Sequence, residues 1–216
     1  MYIPAHFVET DPAALHAFIE RYSFGLLVTP VDGLPFATHL PFLLDRTGGA
    51  HGTLIGHVAR ANPQWRQAGG QTALAVFSGP HAYISPAWYE AENVVPTWNY
   101  TAVHASGPVE VIEEPAALLG IVERTVATFE AGRPSPWSFD TRGPFVDRLL
   151  GQIVGFRIPI ERLEGKRKLS QNHPPERRAK VVRALAAQGG ADAREIAEMM
   201  RHALDAEGSA DPGTSG

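Results

Sequence analysis

Apolar residues along this chain come mostly in short runs. FGLLVT (24–29), LIGHV (54–58), ALAVF (73–77) and IVGFRIPI (153–160) are typical, and Gly, Pro, Asp or Asn stand between them. That punctuation is the pattern of β-strands joined by turns. It predicts strands over 24–29, 36–44, 54–58, 73–77, 81–85, 97–103 and 104–112, with 153–160 as the last. Val31-Asp32-Gly33 reads as a tight hairpin turn. Gly79-Pro80 and Gly107-Pro108 read as interruptions, and Pro80, Pro86 and Pro96 place their segments at edges or bulges. The period lengthens to that of a helix in few places. Asp11-Pro12 supplies an N-cap and a proline at the first helical position, opening a helix through Arg21. Leu118, Leu119, Val122, Val126 and Phe129 mark a helix over 115–130. Short helices are expected at 63–68, closed by Gly69-Gly70, and at 145–150. Two further helical patterns, 176–187 and 192–205, flank Gly189-Gly190. Strands do not alternate with long helices, which speaks against a doubly wound fold. A small barrel of antiparallel strands fits best.

Composition narrows the chemistry. The 216 residues suit one large domain, or one with a small appendage, and 44% are apolar. Cysteine is absent, which removes disulfides, thiolate metal sites and thiol catalysis. The net charge of −4 and pI near 6.1 give no global attraction to nucleic acid or anionic membranes. The opening MYIPAHFVETDPAAL lacks a basic and apolar leader pattern, and no apolar run approaches a membrane span of about 20 residues. A cytoplasmic location is expected. Charge is uneven: residues 157–183 hold 9 of the 19 Lys and Arg residues against three acids. Residues 191–216 carry net −4, from six acids and two arginines. The terminal 206–216 reads as a disordered tail.

Common nucleotide, acyl-transfer and zinc-protease signatures do not occur, and the nine histidines form no close metal-ligand pair. Three stretches carry candidate chemistry. In GHVARANPQW (56–65), Asn62 can cap a helix whose first residue is Pro63. The free amides of that terminus, with Arg60 just ahead, could bind a phosphate; a capped surface helix with a solvated arginine is the plainer explanation of this stretch by itself. The block 77–104 gathers Phe77, His81, Tyr83, Trp88, Tyr89, Trp98, Tyr100 and His104, which suits either a pocket for a planar ring or a dimer interface. KRKLSQN (166–172) offers several donors just past the last expected strand, as a ligand segment or as a solvated basic linker.

Taken together, MYIPAHF, HLPF (39–42), GHVARANPQW, GPHAYISPAWY (79–89), VPTWNY with VHASG (95–107) and KLSQN (168–172) resemble a known family, the PaiB-type FMN-binding negative transcriptional regulators. These pieces occur in order across roughly residues 1–173. The resemblance implies a mainly β split barrel, six-stranded, antiparallel and Greek-key-like, with peripheral helices and a C-terminal helical extension over 174–205. It also implies a homodimer with FMN at its interface. By analogy with other split barrels, the phosphate would fall on His57, Arg60 and Asn62, and His39, Leu40 and Pro41 would run along the flavin. Thr97, Trp98 and Asn99 would approach from one subunit, with Lys168, Ser170 and Gln171 closing the site. One departure is His173, where the family pattern has arginine.

Three functions follow as expectations. A regulator would bind DNA through the basic 157–183 segment or a helix-turn-helix built from 176–187 and 192–205; a helical hairpin packed on the barrel explains the same pair. A flavin-dependent oxidoreductase would need the protein only to bind and tune the cofactor, with no dedicated catalytic residue. A haem-binding or haem-degrading split barrel is the third.

Overall fold

Turn chemistry sets the first hairpin. Asp32 and Gly33 both adopt positive φ, 52° and 78°, which is the two-residue turn that matches strand twist. Strand β2 (Phe24–Val31) therefore returns directly as β3 (Leu34–Pro41), pairing from Val31↔Leu34 to Phe24↔Pro41. The computed structural model describes residues 1–210. Its other strands are β1 (Val8–Glu9), β4 (Leu43–Asp45), β5 (Thr53–Ala59), β6 (Thr72–Ile84), β7 (Thr97–Pro108), β8 (Glu110–Ile112), β9 (Ile153–Pro159) and β10 (Arg162–Lys168). Its α-helices are α1 (Pro12–Arg21), α2 (Gln64–Ala68), α3 (Pro115–Glu130), α4 (Pro144–Leu150), α5 (Pro175–Gln188) and α6 (Ala191–Ala210). One antiparallel sheet runs β1-β10-β7-β6-β2-β3 and a second runs β4-β5-β9-β8. The fold is the mainly β split barrel expected from the sequence, with its peripheral helices.

Residues 11–77 and 103–164 form one compact unit; residues 1–10, 78–102 and those from Gly165 onward form another. In the first unit the chain changes sheets at Phe42. Its ring is 2% exposed and meets Phe77 and Phe156 edge-on at 5.2 and 5.9 Å, a geometry that favours ring quadrupoles beyond the area they bury. Leu27, Leu54, Val58, Ala75, Val154 and Ile158 complete this core. In the second unit, Val181 and Leu185 of α5 and Ile196 and Met200 of α6 pack with Ile84, Tyr89 and Leu169. Their helical spacing explains why both helices form: each presents one apolar stripe to a shared core.

Several boundaries differ from expectation. The predicted 36–44 strand is two strands, β3 and β4, one in each sheet. β6 is continuous through Gly79-Pro80; pairing with β2 covers only Leu74–Val76, so the donor that Pro80 lacks is not needed on that side. β7 likewise runs through Gly107. Glycine serves there for close approach, because a Cβ would stand 1.9 Å from the Pro159 carbonyl oxygen. The 153–160 segment is not the last strand. β10 follows it, hidden from a hydrophobicity pattern by its own Arg and Lys residues. Helix α6 continues to Ala210, so 206–210 are helical rather than disordered; 211–216 lie outside the described residues.

Beside the apolar core of the first unit sits one saturated amide. Gln64 is 1% exposed. Its Nε2 donates to the Leu27 carbonyl (3.1 Å), the Thr29 hydroxyl (3.1 Å) and the Phe36 carbonyl (3.2 Å), and its Oε1 accepts from the Thr38 hydroxyl (2.7 Å). Two strands and α2 are tied through a single side chain. Gln64→Leu is expected to lower stability by about 2–4 kcal/mol, because polar groups on β2 and β3 lose their partner; urea unfolding checks this. Gly107→Ala should fail to give folded protein at all, read by the same transition.

Candidate functional site

The segment 56–65 is built as the sequence suggested, but its polar groups are spent internally. The Asn62 side chain accepts from the Gln64 amide (2.9 Å) and donates to the Thr38 hydroxyl (2.9 Å). It thereby satisfies the first backbone donor of α2, whose N-cap position is Pro63. Arg60 is anchored harder. Its Nε donates to the Gly151 carbonyl (2.9 Å), one Nη to Glu113 (2.7 Å) and the other to the Ile153 carbonyl (3.1 Å). The guanidinium lies 5.6 Å from the centre of the Trp65 ring, whose Nε1 donates to the Arg60 carbonyl (2.9 Å). Three of five guanidinium donors are used, so Arg60 joins the end of α4 and the start of β9 to the α2 corner.

His57 takes no part in the hydrogen bonds of Arg60 and Asn62. It lines a cavity between α3 and α4, and burial holds its pKa below the usual histidine range. On β3, His39 is exposed and stacks on Phe24, centroids 6.3 Å apart. The Leu40 side chain is 4% exposed in the core, so only its backbone is available to a ligand. Pro41 ends the strand. β3 is a terminal strand of its sheet.

In the other unit, motifs far apart in sequence meet. The Lys168 ammonium donates to the Thr97 hydroxyl, and burial lowers its pKa. Trp98 is 53% exposed and forms an aromatic cluster with Tyr83 (5.9 Å) and His81 (6.0 Å). Asn99 and Ser170 point the other way. Both are buried, and the Asn99 amide and Ser170 hydroxyl bond to each other (3.0 Å), with the Tyr89 hydroxyl 3.0 Å from Ser170 Oγ. Gln171 accepts from the Leu169 amide (2.7 Å) and donates to the Arg167 carbonyl. It braces a turn in which Ser170 takes φ 64°, a strained value for a residue with a side chain. So of these six candidates, Thr97, Trp98 and Lys168 present groups outward, while Asn99, Ser170 and Gln171 shape the segment that carries them. His173, in place of arginine, packs on Tyr89 with centroids 4.3 Å apart.

Sequence reasoning singled out neither Gln64 nor Glu113, and took Lys166 only as part of KRKLSQN. Gln64 and Glu113 gave no periodic signal. Lys166 is 7% exposed, donates to the Tyr2 carbonyl (3.1 Å) and lies 5.1 Å from the Tyr100 ring centre; its place two residues before Lys168 becomes a signal only once 162–168 is known to be a strand. The basic segment is also less free than its composition implies. Arg178, 2% exposed, pairs with Glu207, and Lys180 pairs with Glu90, each at 2.6 Å. α5 and α6 bury their facing stripes in the core of their unit. Among the described residues no cluster of potential metal ligands occurs, and no helix is long and apolar enough to cross a membrane.

A flavin requires a flat ring surface and polar groups for its ring edge and phosphate. Exposed Trp98 and Tyr83, with Lys168 bonded to the neighbouring Thr97, meet those needs, so the residues fit the group. The family comparison agrees. Residues 1–162 match the model described as "Putative FMN-binding domain", and the chain belongs to that family. It is 38% identical over 208 residues to the Bacillus subtilis "Protease synthase and sporulation protein PAI 2", covering 94% of this chain and 98% of that protein. Two solved structures share the fold. The flavocytochrome Anf3 from Azotobacter vinelandii gives a TM-score of 0.60 at 15% identity, covering 77% of this chain and 72% of that one. The FAD and heme binding protein from Mycobacterium smegmatis gives 0.58 at 18%, covering 86% and 82%. FMN is thus the cofactor of this chain, a homologue of PAI 2.

Arg60→Ala is expected to lower the thermal midpoint even without flavin, since it leaves Glu113 and two carbonyls without their donor, and Arg60→Lys should not restore it because one ammonium cannot reach three acceptors. Differential scanning calorimetry checks both. His57 and His173 also set a pH dependence. Burial depresses both pKa values, so the unfolded chain binds more protons in the window just below the unperturbed value of about 6.5. Stability should be full above that pH and decline as pH falls through it. His57→Phe and His173→Phe should each flatten the slope of midpoint against pH.

Proposed function

We propose that this chain acts in the cytoplasm as a homodimeric, PaiB-type regulatory flavoprotein whose FMN is held by Lys168, Thr97 and Trp98. The observation that carries this reading is the meeting of VPTWNY and KLSQN: a cation with unspent donors bonded to Thr97, next in sequence to an exposed indole, on a turn braced by buried Asn99, Ser170 and Gln171. Lysine can neutralise a phosphate or an electron-rich ring edge, and an indole offers a face to a heteroaromatic ring. The exposed Trp98–Tyr83–His81 cluster also supports self-association, because aromatic groups of this size gain most when a partner covers them. FMN supplies the redox chemistry when bound; the protein binds, orients and shields it. The internal pairing of Arg178 and Lys180, and the packing of α5 on α6, favour flavin rather than direct DNA reading as the functional centre.

Titrating FMN into apoprotein should give saturable quenching of flavin fluorescence. Lys168→Ala should weaken binding about tenfold, the loss of one charge-assisted hydrogen bond. Light scattering should return the mass of a dimer, and Trp98→Ala should shift it toward monomer. Unchanged FMN affinity in Lys168→Ala would remove the site assignment, and a monomeric mass at all concentrations would remove the dimer.

A further inference from the structure

Helix α3 carries more apolar surface than the barrel covers. Leu118 and Ile121 are buried against the sheet, at 2% and 5% exposure. Leu119, Val122 and Val126 face elsewhere and line a cavity of about 590 Å³. The opposite wall is the apolar face of α4, with Phe145 and Leu149, 62% and 48% exposed. The connecting loop folds Trp137 and Phe139 over the space, their rings stacked 5.5 Å apart at 15°. That volume falls within the range of small-molecule sites, which are mostly apolar with a few placed polar groups.

Two polar side chains reach the cavity without protein partners. Neither the His57 imidazole nor the Gln152 amide makes a hydrogen bond to any described residue. An imidazole that is partly buried yet unpaired is costly unless something completes it. Arg60 holds this wall in place, since it grips the carbonyls of Gly151 and Ile153 on either side of Gln152 and its own amide donates to the Gln152 carbonyl (2.7 Å). Charge is scarce and balanced: Asp140 and Arg142, one of each sign, are the only ionised side chains of the lining. Burial lowers the His57 pKa and so favours the uncharged ring. A phosphate dianion has no cationic cradle here, so the lining is not that of a whole FMN.

We propose that the α3–α4 cavity is a second ligand site, for an uncharged aromatic molecule of one or two fused rings carrying a hydroxyl or carbonyl group. The ring body would occupy the slot between Leu119, Val122, Trp137 and Phe145. Its polar group would bond His57 and Gln152. A neutral imidazole offers one donor and one acceptor and the amide offers both, so either a hydroxyl or a carbonyl is satisfied.

The test uses the full chain loaded with FMN and 2-naphthol as the probe, followed by calorimetric titration, with flavin absorbance recorded on the same samples. One saturable site per chain is expected. Val122→Trp, which fills the slot, should abolish it, and His57→Phe should weaken it about tenfold, one hydrogen bond's worth; both should keep their full flavin. If Val122→Trp does not fold, Trp137→Ala, on the loop, replaces it and should weaken binding by a similar factor. Absence of saturable binding, as when a second copy of the chain fills the space, overturns the proposal. Binding that survives these substitutions overturns it too. Loss of flavin together with 2-naphthol binding also overturns it, by showing that the cavity belongs to the flavin, and leaves the FMN reading intact. Failure of FMN to bind at all would overturn that reading instead, since 2-naphthol binding is measured separately.

Discussion

The buried amide of Gln64 is the constraint on which the β2–β3–α2 corner depends. Polar groups on two strands and a helix must be satisfied away from water, and one primary amide satisfies four of them. Thr38 links that amide to Asn62, and Asn62 accepts in turn from the backbone amide of Gln64. The network closes on itself, so each bond fixes the geometry of the next. Arg60 extends the same logic to α4 and β9. The corner that looks from sequence like an anion site is first a structural joint.

That joint places the rest. β3 ends where α2 is locked, so His39–Pro41 lies at a fixed sheet edge. The 151–153 return is fixed by Arg60, which sets one wall of the α3–α4 cavity. In the other unit the corresponding device is the Asn99–Ser170–Tyr89 cluster. It is apolar outside and saturated inside, and it holds a strained Ser170 so that Lys168 meets Thr97. Both units thus spend buried polar groups on positioning, and in the second Lys168 and Trp98 keep outward-facing groups.

Much of this was legible in the chain. Asp11-Pro12 announced α1, Asp32-Gly33 announced the hairpin, and the helical spacing over 115–130 gave α3 to the residue. The family resemblance gave fold class and cofactor. Other features were hidden for physical reasons. A strand with Leu163 alone among Arg, Lys, Glu and Gly has no apolar period, so β10 was not read as a strand. Gly79-Pro80 and Gly107 looked like breaks because a glycine needed for close approach is written with the same letter as one needed for a turn. The α3 stripe was a core signal in sequence, yet half of it faces a cavity.

Local rules of backbone conformation, side-chain period and capping act over a few residues, and the sequence by itself determined what they govern: the turns, most helices, the mainly β class, and the segments that carry polar chemistry. It did not determine which polar groups remain available. Arg60, Asn62, Asn99, Ser170 and Gln171 carry the same donors whether free or spent. Only the tertiary structure, by bringing Gly151, Glu113, Thr38 and Tyr89 within bonding distance of them, decided that these five hold the protein together. Lys168, Thr97, Trp98 and His57 still face outward with bonding capacity to offer.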